Sequence, residues 1–232
     1  MEDKMIARPQ VAASEANFIS KVFLWMALGL GLSAAGAFWL LAQPGLMKAI
    51  FSNTILLFGI LIAEIGLVVW LSAGVARMST ALATAVFCGY SFLNGVTLCS
   101  ILLVYTGASV LSTFAITAGT FLFFSIYGMT TKKDLTSMGS LAMMGLFGVI
   151  LASVVNMFLK SAGLSWGITF VGIAVFLGLI AYDTQKLKAM HAMGFENADM
   201  EKKGAILGAL ALYLDFINLF IMLLQLFGRR RN

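Results

Sequence analysis

Seven stretches of about 20 predominantly apolar residues use up most of this chain of 232 residues, at 22–42, 55–75, 80–105, 109–129, 141–159, 164–182 and 204–227. In hydrocarbon every backbone N–H and C=O must find a partner within its own segment, so spans of this length cross as helices. The predicted fold class is therefore all-α, a polytopic membrane protein with seven transmembrane helices. Composition agrees: 61% of residues are hydrophobic, 11% are charged and the mean hydropathy is +0.98, whereas soluble domains carry about 25% charged residues. The longest polar segments are residues 1–21 and 184–203, neither large enough for a soluble domain. The predicted organisation is a polar N-terminal tail (1–21), a single seven-helix transmembrane domain (22–228) and a basic C-terminal tail (229–232). Function is expected inside the bundle.

A net charge of +5 could point to nucleic acid, but the basic residues stand singly or in pairs at span ends rather than in one stripe, so no nucleic-acid partner is expected. They read as topology signals for a protein whose immediate partner is the lipid bilayer. With the N-terminus cytoplasmic, Lys4, Arg8, Lys21, Arg77, Lys132, Lys133, Lys186, Lys188, Lys202 and Lys203 fall inside, against Lys48 and Lys160 outside. Arg229, Arg230 and Arg231 then lie outside. They break the rule and leave open a six-span alternative with a re-entrant last helix. The 24 residues of 204–227 contain a single charge, Asp215, which favours seven spans. The first apolar run has no cleavage signature and is expected to remain as the first helix. Cys88 and Cys99 share the third span, where a disulfide between them is geometrically excluded.

On the last span Gly204, Gly208, Ala211, Asp215, Asn218, Met222 and Gln225 follow at steps of four and three. They form one face, small in its first half and polar in its second, as expected of a helix packed among other helices. On the sixth span Gly163, Gly167, Ala174, Gly178 and Ala181 form a small-residue stripe, and Asp183 falls roughly opposite it, with Thr169, Gly172, Phe176 and Leu179.

Asp183 and Asp215 carry the strongest functional signal, because a carboxylate at the bilayer centre costs roughly 2.5–3.5 kcal/mol on an insertion scale and normally serves ions or protons. Asp215 is the twelfth residue of its span, about 16 Å along it at 1.5 Å per residue, near the midplane. Its bland alternative is a structural carboxyl bonded to Asn218, Tyr90 or Thr97. Asp183 ends its apolar run three residues before Lys186, where an interfacial ion pair is the alternative. Glu64 is a third central carboxyl, for a pore or for structure alike. Arg77, in the short turn after the second span, is a candidate counter-ion or a positive-inside anchor. No catalytic residues are expected: the one histidine, His191, is read in a polar loop without a Cys, Ser or metal-ligand pattern. The chain is not expected to be an enzyme, and no cofactor is expected.

The segments Tyr127-Gly128-Met129-Thr130-Thr131-Lys132-Lys133-Asp134-Leu135, Ala181-Tyr182-Asp183-Thr184-Gln185 and Leu212-Tyr213-Leu214-Asp215-Phe216-Ile217-Asn218-Leu219-Phe220 resemble the transmembrane Bax inhibitor motif family. The bacterial YccA-like branch is the nearest, over residues 22–228. The resemblance implies a bacterial inner membrane, a last helix that is central and wrapped by the other six, and a hydrogen-bonded pair formed by Asp183 and Asp215. That pair is proposed in the family as the pH sensor of a calcium leak, with a basic latch that only Arg77 can supply here. Calcium is then a permeant ion: it prefers six to eight oxygens, and two carboxylates offer at most four, so binding is weak and transient. Two carboxyls in low dielectric are expected to titrate as a pair. The competing expectations are a non-transporting membrane modulator or scaffold of a membrane protease or stress response, and a proton-coupled cation exchanger.

Overall fold

The computed structural model describes residues 2–231, with side chains from residue 13 onward. They form α1 (Glu2–Leu41), α2 (Pro44–Ser52), α3 (Thr54–Gly74), a 3-10 turn (Val75–Arg77), α4 (Thr80–Val104), α5 (Gly107–Thr130), α6 (Thr136–Leu159), α7 (Ala162–Ala192) and α8 (Ala198–Phe227). All but the nine-residue α2 are long and apolar enough to cross a membrane, seven in number. The protein is an integral, multi-pass, all-α membrane protein.

The helices overrun the apolar spans at both polar segments. The N-terminal tail is helical from Glu2, and membrane-crossing character begins at Ala13. Residues 184–203, read as a polar connection, are mostly helix: α7 runs to Ala192, α8 starts at Ala198, and only residues 193–197 join them. Lys, Glu, Met and Ala are strong helix formers, so polarity there marks the membrane edge rather than a loop. The turn is made by Gly194, whose φ of 82° suits a residue without a Cβ. Asn197 caps α8 by accepting the Met200 amide at 2.9 Å.

Caps fix the other ends too. Asn53 accepts the Ile55 and Leu56 amides at 3.0 and 3.2 Å to start α3, and Asp134 accepts the Thr136 amide at 2.9 Å to start α6. The last helix crosses fully. Its first turn meets the start of α4, where Thr80 donates to Asp199. Past its end, Arg231 donates to the Val104 carbonyl at 2.8 Å, and the Arg229 carbonyl accepts from Thr106 at 3.0 Å. A re-entrant helix would return the tail to the side of Asp199, so the seven-span reading holds and the six-span one does not. α8 is also the most buried span: 67% of its membrane window is buried, against at most 39% in any other.

The chain packs as two compact units, Met1–Leu103 with His191–Leu210, and Val104–Met190 with Ala211–Asn232. In the first, the Ser33 hydroxyl on α1 donates to the Ser91 carbonyl of α4 at 2.8 Å, and Gly95 lies so close to the Ser33 backbone that a Cβ would collide. This is the small-residue contact expected where lipid tails provide no hydrophobic drive between helices. Ala37, Leu40, Ile50, Val96 and Cys99 build an apolar cluster from α1, α2 and α4. Cys88 and Cys99 are both free thiols. His191 is not in a loop as its polar surroundings implied; it lies in the last turn of α7, stacked on Phe18 at 5.2 Å.

In the second unit Gly128 of α5 sits against the Ala181 backbone of α7, and Gly172 of α7 against the Met222 side chain of α8. Phe114 and Phe121 of α5 meet Phe216 of α8 edge-on at 5.3 and 5.6 Å. Gln185 of α7 ties down the α5–α6 connection, accepting from the Leu135 amide at 2.8 Å and donating to the Lys133 carbonyl at 2.9 Å.

Candidate functional site

Asp183 on α7 and Asp215 on α8 belong to one unit, and their carboxyls lie within hydrogen-bonding reach of each other. The face of α7 that carries Asp183 is the one turned inward. Thr169, Gly172, Phe176 and Leu179 on that face are all buried, and Thr169 donates to Gln225 of α8 at 3.1 Å. The small-residue stripe on the opposite face stays largely open: Gly163, Gly167 and Ala174 are exposed, Gly178 is half-buried, and only Ala181 is buried. Small residues usually mark the packed face of a membrane helix; on α7 the aspartate face is packed instead.

The two carboxyls differ in setting. Asp215 is 5% exposed and its Oδ2 is buried without a hydrogen-bond partner. Asp183 is only partly buried, with Lys186 one turn along acting on it through space. Lys186 itself reaches over the Tyr182 ring, 6.0 Å from its centroid, rather than closing a contact-distance ion pair with Asp183 among the described residues. Two of the structural partners expected for Asp215 bond elsewhere. Asn218 donates to the Leu214 carbonyl at 2.8 Å, and Thr97 donates to Glu64 at 2.9 Å. A buried oxygen that has lost water and gained nothing is costly in a fold, about 1–3 kcal/mol.

Glu64, on α3, belongs to the other unit and is 7% exposed. Asn94 supplies a second donor at 3.3 Å, so both of its oxygens are engaged from α4. Arg77 is exposed on the 3-10 turn and makes no ion pair among the described residues. Among those residues no three His, Cys, Asp or Glu side chains gather as a metal-ligand group.

The sequence reading missed the polar cavities beyond Asp215. One turn along α8, Asn218 lines a cavity of about 300 Å³ with Ser153, Asn156, Ser165 and Gln225. A second, of about 500 Å³, continues along Ser165, Thr169 and Gln225 to Arg230. The signal for them was present in the polar half of the α8 stripe, but its partners on α6 and α7 are isolated Ser and Asn residues without a pattern of their own.

The profile of the family described as "Inhibitor of apoptosis-promoting Bax1" matches residues 15–232. The Inner membrane protein YbhL of Escherichia coli K12 is 47% identical over 223 residues, covering 96% of this chain and 95% of its own length. An uncharacterized protein of Borreliella burgdorferi is 45% identical over 216 residues, covering 93% of each chain. Another, RP147 of Rickettsia prowazekii, is 41% identical over 219 residues, covering 93% of this chain and 91% of its own.

Proposed function

This chain belongs to the Bax inhibitor-1 family, and from that premise we propose that it is a pH-sensitive calcium leak of the bacterial inner membrane, governed by the proton shared between Asp183 and Asp215. One observation carries the reading: two facing carboxyls inside the membrane, of which Asp215 keeps a buried oxygen with no partner. With one proton between them, a carboxyl donates to a carboxylate and ties α7 to α8. Without it, two like charges face each other in low dielectric and repel, which loosens that contact and presents oxygens to a cation. Four carboxylate oxygens fall short of the six to eight that calcium prefers, so the ion is passed on rather than held. The polar cavities from Asn218 to Gln225 and on to Arg230 then give it a hydrated exit beyond the pair.

The proposal takes the N-terminus as cytoplasmic, a reading supported by the excess of basic residues in the loops on that side. Single cysteines at Ser20 and Arg230, in a background lacking Cys88 and Cys99, should label from opposite sides. For the activity itself, purified protein in liposomes should pass calcium down its gradient, with rates that differ between about pH 6 and pH 8 and need no proton gradient. Calcium driven uphill by an imposed proton gradient would make the protein an exchanger. Absence of flux at either pH would leave the modulator of a membrane protease or stress response as the better reading.

A further inference from the structure

We infer that the groove bounded by α5, α6 and α7 is a binding site for one anionic phospholipid, its acyl chain in the groove and its phosphate on the lysines at the groove's mouth. The groove is an apolar cavity of about 570 Å³, inside the range of about 300–1,000 Å³ typical of small-molecule sites. Phe124 and Tyr127 of α5, Met138 and Leu141 of α6 and Val171 of α7 form its walls. Gly145, Ala174 and Gly178 also line it; at the two glycines α6 and α7 approach closely, since a Cβ on Gly145 would collide with Val175 and one on Gly178 would touch Ala142. Three members of the small-residue stripe of α7, Ala174, Gly178 and Ala181, line this groove.

A basic cavity of about 370 Å³ in the same unit is lined by Lys132, Lys133 and Lys186 with Tyr182 and Gln185. Their linings are neighbours in sequence on α6 and on α7. Ala181 lines the groove and Tyr182 the basic cavity on α7, as Met138 and Thr136 do on α6. All three lysines are exposed, Lys186 lying over the Tyr182 ring that also lines the cavity. Of the carboxylates beside these lysines, Asp134 is turned onto Thr136, accepting from its hydroxyl at 2.6 Å and its amide at 2.9 Å, and Asp183 acts on Lys186 through space. Gln185 fixes the backbone that carries Lys133, so the rim is held in place. An apolar trough ending in three cations at the level of the headgroups matches the chemistry of an anionic lipid and of no zwitterionic or fully apolar one, since lysines near the surface attract anionic headgroups.

The inference does not depend on the leak. The full chain, released from detergent with an equimolar mixture of phosphatidylglycerol and phosphatidylcholine of matched chains, should retain one phosphatidylglycerol in native mass spectra, preferred about tenfold. The double variant Lys132→Gln/Lys133→Gln should lose that preference, and Lys132→Arg/Lys133→Arg should keep it. Ala174→Phe, at an exposed position that fills the groove, should reduce retention of both lipids together. Inorganic phosphate alone should not displace the lipid. Equal retention of the two lipids by the parent overturns the inference without any variant. So does a preference that survives both Lys132→Gln/Lys133→Gln and Ala174→Phe, or displacement by inorganic phosphate, which would make the rim a plain anion site.

Discussion

Two buried carboxyls in two units of this protein are treated in opposite ways. Glu64 is 7% exposed and has both oxygens engaged, by Thr97 at 2.9 Å and Asn94 at 3.3 Å. Asp215 is 5% exposed, faces another carboxyl, and keeps one oxygen without a partner. A fold that wanted only to hold α3 on α4 would do what it does at Glu64. At Asp215 it leaves a buried acceptor open and sets another carboxyl beside it, an arrangement that lowers stability and accords with the proposed proton-sharing role. Satisfaction, rather than burial, is what distinguishes Glu64 from Asp215.

The widest test of that contrast is Asp215→Asn. The substitution keeps the shape and removes the charge, so the fold should survive, while calcium flux should lose its response between about pH 6 and pH 8 and change by roughly tenfold or more at the pH where the parent conducts best. A well-folded variant with parental pH-dependent flux would end the proposed role. Next in size is the coupling. Asp183→Asn alone should remove the pH response as Asp215→Asn does, and the double variant should add little, because two groups sharing one proton act as a unit; contacting residues in such pairs show coupling of about 0.5–3 kcal/mol. Additive effects on flux would mean that the two carboxyls work independently.

The sequence carries the spans, the seven crossings and the buried last helix plainly, because apolar length and the α8 stripe are local properties of the chain. Asp215 is legible for the same reason, being one charge in 24 residues. The inward aim of Asp183 is not. The small-residue stripe on α7 points the other way, and which face packs is decided by partners far along the chain: Gln225 takes the Thr169 hydroxyl, and Met222 fills the space at Gly172. Glu64 is visible as a charge, but its role depends on Asn94 and Thr97, some 30 residues away on another helix. The helical run through residues 184–192 is hidden by its polarity, which reports the membrane edge and not the backbone.

Glu64→Gln should act on stability and leave gating alone. Glutamine keeps one acceptor and turns a donor towards Asn94 or Thr97, losing about one hydrogen bond's worth, roughly 1 kcal/mol. A thermal melt in detergent should fall by a few degrees while the pH response of calcium flux matches the parent. Loss of the pH response in this variant would place Glu64 in the ion path and dissolve the contrast with Asp215.

The smallest effect is expected at Asp134, an exposed carboxylate that tests whether any acid near the pair can mimic its behaviour. Its carboxyl is held below the usual range by the Thr136 hydroxyl and amide that it accepts. A depressed folded value means that the stabilisation is complete above the unfolded value, about pH 4, and is lost only as the pH falls through the folded value below it. At neutral pH Asp134 is therefore ionised on both sides of any physiological change and cannot report it. Asp134→Asn, which keeps an acceptor for the Thr136 amide, should leave the flux response between about pH 6 and pH 8 as in the parent. Its melting temperature should differ slightly from the parent's at neutral pH, and that difference should shrink below about pH 4, where the parent's own carboxyl takes up its proton. A change in the neutral-pH flux response would show that the charge of the α5–α6 connection reaches the pair, and that the buried carboxyls do not set the response alone.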